Sequence, residues 1–85
     1  MFVDVFFCNR FDEETLLGTV EENCSNYSVN GFSAEDKYTK SWDLIFEFLE
    51  DHKYKSYYQR WIYHPDEICI DVGSHTEFFY IRPHS

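Results

Sequence analysis

Four histidines, three cysteines and sixteen carboxylates are the side chains of this 85-residue chain whose types suit chemistry. His64, Cys69 and His75 flank neighbouring strand-like segments, and Cys and His are residue types that hold zinc tetrahedrally. Two turn histidines beside an outward-facing cysteine are the plainer description, and no metal site is expected. His52, His64, His75 and His84 lack the HExxH spacing of a zinc hydrolase, and three glycines leave no phosphate-cradling loop. Carboxylate pairs work as acid and base only where a pocket perturbs them. With no nucleophile paired to a base either, the sequence points to a binding protein without a cofactor rather than to an enzyme.

The carboxylates are better explained by display than by catalysis. In "SWDLIFEFLEDHK" (41–53), Asp43, Glu47, Glu50 and Asp51 fall within an arc of about 100° when wound as a helix, opposite Trp42, Ile45 and Leu49. The wet side of an amphipathic helix accounts for this arrangement without any function. Yet solubilising faces normally mix both signs, and like charges four apart, Asp43 with Glu47 and Glu47 with Asp51, mildly destabilise a helix. A basic partner would compensate. Carboxylates four residues apart rise about 6 Å along the axis, comparable to about two phosphate steps of one duplex strand, so such a row can imitate a nucleic-acid backbone. Asp12, Glu13, Glu14, Glu21, Glu22, Glu35 and Asp36 extend this candidate partner-binding surface. Tyr27, Tyr54, Tyr57 or Tyr58 would serve as aromatic anchors at its rim.

Seven Lys and Arg face those sixteen acids, for a net charge of −9. Direct binding to nucleic acid needs cations on the protein, so it is disfavoured, as is an anionic membrane. The surplus is greatest in residues 1–36, with eight acids against one base. Its field steers the protein toward a basic partner and speeds encounter at low salt. Cys8, Cys24 and Cys69 are odd in number and lack CxxC spacing, which fits a reduced, cytoplasmic setting better than a disulfide framework. No run approaches the roughly 20 apolar residues of a membrane span, and no basic segment precedes the N-terminal apolar run as in a secretory signal. Ala occurs once, as Ala34, while Phe, Tyr, Ile, Asn and Lys are plentiful; this suits an AT-rich bacterial or viral genome.

A single domain of this size needs bulky side chains to close its core, and nine Phe, seven Tyr and two Trp supply them. "FVDVFFC" (2–8) alternates as a strand, with Val3, Val5 and Phe7 on one face. "DEETLLGTVEEN" (12–23) offers Leu16, Leu17 and Val20 at helical spacing and is read as a short acidic helix or irregular turn, although Thr15, Gly18, Thr19 and Val20 would suit a strand nearly as well. The Asn30-Gly31 pair marks a reversal. Ser33, Glu35 and Asp36 resemble a capping box, which predicts the main helix from Ala34 to near Lys53, with Ser41 as a possible second cap. Strands are expected at 57–63, 67–72 and 76–82, joined by short turns into antiparallel hairpins. The expected architecture is α+β: about four antiparallel strands with one helix packed on one face.

In size, acidity and lack of catalytic motifs, and in the stretches "FDEET", "VEEN" and "FEFLED", the chain resembles the small phage-encoded anti-CRISPR and anti-restriction proteins. That resemblance is one of class and implies an intracellular inhibitor, working in the host cytoplasm. Its target would be a basic nuclease or other nucleic-acid-binding effector, met through an acidic surface that mimics DNA. Members of the class also act by allostery or dimerisation. Two alternatives share the same features: an immunity protein or antitoxin that neutralises a basic toxin, and a small homo-oligomeric structural or assembly subunit joined through a strand edge.

Overall fold

The computed structural model describes residues 1–22 and 38–84. The expected turn at Asn30-Gly31, the capping box at Ser33 and the helix start at Ala34 lie outside the described residues. The elements in chain order are β1 (Phe2–Cys8), β2 (Glu14–Glu21), α1 (Thr39–Asp51), β3 (Arg60–His64), β4 (Glu67–Asp71) and β5 (Phe78–Pro83). They form an α+β fold in which one five-stranded sheet, ordered β2-β1-β5-β4-β3, is antiparallel throughout. Helix α1 packs on one face of it.

The fifth strand is β2, where a short acidic helix or turn was expected. Thr15, Thr19 and Val20 suit a strand, and the helix-like spacing of Leu17 and Val20 has a different origin. The β1–β2 register shifts between Val5, which faces Gly18, and Phe6, which faces Leu16. Leu17 is therefore an extra bulge residue. A bulge lets residues three apart share one face, so Leu17 and Val20 both pack on the core.

Alternation in the strands and the 3.6-residue period of α1 meet in one apolar layer. Val3, Val5 and Phe7 of β1, Phe79 and Ile81 of β5, and Ile68, Ile70 and Val72 at β4 are buried against Tyr38, Ile45 and Leu49. The rings of Phe7, Phe48 and Phe79 meet with centroids 4.5–5.7 Å apart, and Trp42 meets Trp61 of β3 at 6.4 Å. α1 runs antiparallel to β2. Its first turn touches Glu22 just beyond the strand, Leu44 lies over Gly18, and Phe48 reaches Phe7, whose neighbour in β2 is Thr15.

Ser41, expected as a second cap, lies inside α1 and is buried. No side chain at the helix boundary caps it. The Glu22 carboxylate does so instead, accepting from the Ser41 amide (2.9 Å), the Ser41 hydroxyl (2.8 Å) and the Lys40 amide (3.2 Å). Orphan amides of a first helical turn need an acceptor and favour a negative charge. Here a distant strand end provides both.

Candidate functional site

The side of α1 turned away from the sheet carries Asp43, Phe46, Glu47, Glu50 and Asp51, all exposed. Burial of Ser41, Ile45 and Leu49 fixes this orientation, because every residue opposite that stripe must face water. None of these four acids joins an ion pair among the described residues. Glu50 and Asp51 also occupy the last turn, which holds no basic residue. Phe46, 49% exposed, stands among Asp43, Glu47 and Glu50 at helical spacings of three, one and four.

The other sequence-derived candidates divide three ways. Glu21, Glu13 and Asp12 are exposed, although Asp12 has a left-handed backbone (φ 64°) and its Oδ1 faces the Cys8 thiol. Glu14 and Glu22 do not belong to a free acidic surface. Glu22 is buried as the cap of α1, and Glu14 forms a two-bond fork with Arg82 (2.7 and 2.9 Å). Glu35 and Asp36 lie outside the described residues, as does Tyr27. Tyr54, Tyr57 and Tyr58 are exposed in the segment between α1 and β3.

The face of the sheet away from α1 has its own order. Leu16, Phe6, Tyr80, Cys69 and Ile62 stand side by side across the five strands. Arg82 roofs the middle of this row, its guanidinium 4.9 Å from both the Phe6 and the Tyr80 ring centroids, while Nε donates to Glu67 at 2.9 Å. Hydrogen bonds and charge from Glu14, and then from Glu67, push the Arg82 pKa up against the opposing effect of burial, and Arg82 holds the Glu14 carboxyl below its ordinary range. The stability Glu14 contributes is therefore present above its unfolded pKa and lost as pH falls through its lower folded value. Nothing local in the sequence announces this cluster, because its members come from four strands. Arg82→Met keeps the ring contacts but strips both carboxylates of their partner. Urea unfolding is expected to show a loss of about 2 kcal/mol, the scale of hydrogen bonds to charged groups.

Under that roof the outward side of β4 is drier than expected from its alternation. Cys69 and Asp71 are buried rather than solvated. Desolvation, with Glu67 and Asp71 nearby, pushes the Cys69 thiol up to about 11, and burial beside Cys69 and Cys8 pushes Tyr80 up to about 12. The Cys8 thiol is raised too, first by burial and then by Asp12. Groups whose folded pKa is raised contribute stability that is full below the unfolded pKa and lost as pH rises toward the folded one. Stability should accordingly fall between about pH 9 and 12, the span from the ordinary thiol value to the folded Tyr80 value. Iodoacetamide at pH 8 should leave Cys8 and Cys69 unmodified in the native protein and label both in urea, as peptide mapping would show.

Asp71 accepts from the Gly73 amide (2.8 Å) and lies 3.3 Å from His75 Nδ1, and His75 Nε2 is 3.3 Å from the Tyr58 hydroxyl. His64, Cys69 and His75 do not converge, and among the described residues no three Cys, His, Asp or Glu side chains form a metal-sized cluster. A dimple lined by Phe7, Leu49, Tyr54 and Ser74 has about 20 Å³ of room, enough for one water and far below a small-molecule pocket. No described helix is long and apolar enough to cross a membrane. The chain matches no protein-family model, no curated protein and no solved structure.

Proposed function

We propose that this protein is an intracellular inhibitor, a phage-encoded anti-defence protein of the anti-CRISPR or anti-restriction kind. It binds a basic nucleic-acid-handling effector through an acidic surface that stands in for a nucleic-acid backbone. The observation that carries this reading is the outer side of α1: four exposed carboxylates without an ion pair among the described residues. Two of them sit at a helix end that disfavours negative charge. Arg82, the most heavily bonded cation described, is committed to the opposite side of the sheet. Four carboxylates against one exposed base, Lys40, leave that side of the helix net negative, the sign that steers a cationic macromolecule. The partner works in the host cytoplasm on DNA or RNA; the inhibitor itself touches neither nucleic acid nor membrane.

Affinity capture from the native host, with the recovered proteins identified by mass spectrometry, tests this. The parent protein should recover a basic nucleic-acid-binding protein that the Glu47→Lys/Glu50→Lys/Asp51→Lys variant does not. Equal recovery by the two would exclude the helix face as the contact.

A further inference from the structure

The acidic helix and the outer edge of the sheet are two parts of one margin. β2 ends the sheet, and no described strand lies beyond it. It is eight residues long and is exposed at Glu14, Thr15, Leu16, Thr19 and Glu21, with Leu16 at 54%. α1 runs antiparallel above it, with Leu44 over Gly18. Glu47 and Asp51, three and seven residues after Leu44, share that flank of the helix. That flank lies opposite Trp42, which meets Trp61 of β3, and so faces the sheet margin that Glu21 borders at one end and Glu13 at the other. Lys40 is the one base of α1.

The geometry points to strand addition: an extended segment of the partner, bearing Lys or Arg at alternate positions, pairs with β2 as a sixth strand beside the acidic flank of α1. This specifies how the proposed inhibitor engages its target and rests on that reading. Main-chain hydrogen bonds would supply affinity and the alternate side chains specificity, as in other strand-edge recognition. Basic side chains on the α1 side of the added strand face Glu47 and Asp51, while Glu21 and Glu13 add negative charge at the two ends of the edge. A second copy fits poorly. Antiparallel self-pairing of β2 would continue the sheet with both helices on the same face, turning the Glu47 and Asp51 flank of one copy toward that of the other, and like charges repel. The other sheet edge, β3, begins at Arg60, whose charge repels the same segment.

The test uses two eight-residue peptides of equal charge, (Lys-Val)₄ and (Lys-Pro)₄, added to the full chain at low ionic strength. Proline has no amide hydrogen and cannot complete a ladder. (Lys-Val)₄ should bind at least tenfold more tightly, slow amide exchange along Thr15–Val20 in NMR, and lose at least tenfold on Glu21→Lys/Glu47→Lys/Asp51→Lys, whose spectrum should stay dispersed. Equal binding of the two peptides would overturn strand addition while leaving the charged surface intact. Protection at β3 instead of β2, or binding by neither peptide, overturns it too, and host-lysate capture then judges the inhibitor reading separately. A protein dimer that the charge reversals disrupt would make a second copy the occupant and sink the proposal.

Discussion

Glu22→Ala is expected to destabilise the protein by about 3 kcal/mol, the largest single loss among its surface-derived acids. The Glu22 carboxylate is 3% exposed and accepts three hydrogen bonds from the first turn of α1. Removing an ordinary helix cap costs about 1 kcal/mol. Here the acceptor is charged, sits at the positive end of the helix dipole, and leaves the buried Ser41 hydroxyl and amide unsatisfied, which adds about 1–3 kcal/mol. A chain of this length has only about 4–13 kcal/mol in total, so the melting temperature should drop by more than about 10 °C. Glu22→Gln keeps an acceptor and should lose about half as much. Ser41→Ala, which removes one donor, should cost less in the Glu22→Ala background than alone. Thermal and urea unfolding of the parent and these four variants would decide it, and a Glu22→Ala loss below about 0.5 kcal/mol would show that the cap is not what holds the helix to the strand.

That result bears on why Glu22 was read as part of a binding surface. Within "VEEN", Glu21 and Glu22 are chemically identical, and only the path of the chain separates them. Alternation in β2 leaves Glu21 in solvent, while the next residue turns under α1. The same limit hides the Arg82 cluster, whose partners Glu14 and Glu67 are 68 and 15 residues away in sequence. Local periodicity could locate β1, β4 and the inward stripe of α1 from their core-facing residues, although it did not show that Cys69 and Asp71 on the far side of β4 are buried as well. It misplaced β2 because a bulge converts a strand's period of two into a spacing that resembles a helix. The acids of α1 were legible for the converse reason: Ile45 and Leu49 face the core, and helical geometry then fixes where Asp43, Glu47 and Glu50 point.

Charge reversal on α1 should move stability and association in opposite directions. In Glu47→Lys/Glu50→Lys/Asp51→Lys, lysines at positions 50 and 51 would meet the negative end of the helix dipole, each worth about 0.3–1 kcal/mol. Lysines at positions 47 and 51 would repel each other as Glu47 and Asp51 do, but the repulsion between Asp43 and Glu47 would give way to an attraction in the favourable order, worth about 0.2–0.5 kcal/mol. All three sites are exposed, so no buried contact is lost. The variant should therefore unfold about 1 kcal/mol later than the parent while its affinity for the partner falls about 100-fold or more, chiefly through slower encounter at low salt. Urea melts and stopped-flow association at two ionic strengths would measure both. A variant that is less stable, or that binds undiminished, would mean the acids serve the fold. A gain in stability with lost binding would mean the reverse: a chain retaining charges against the preference of its own helix holds them for something outside itself.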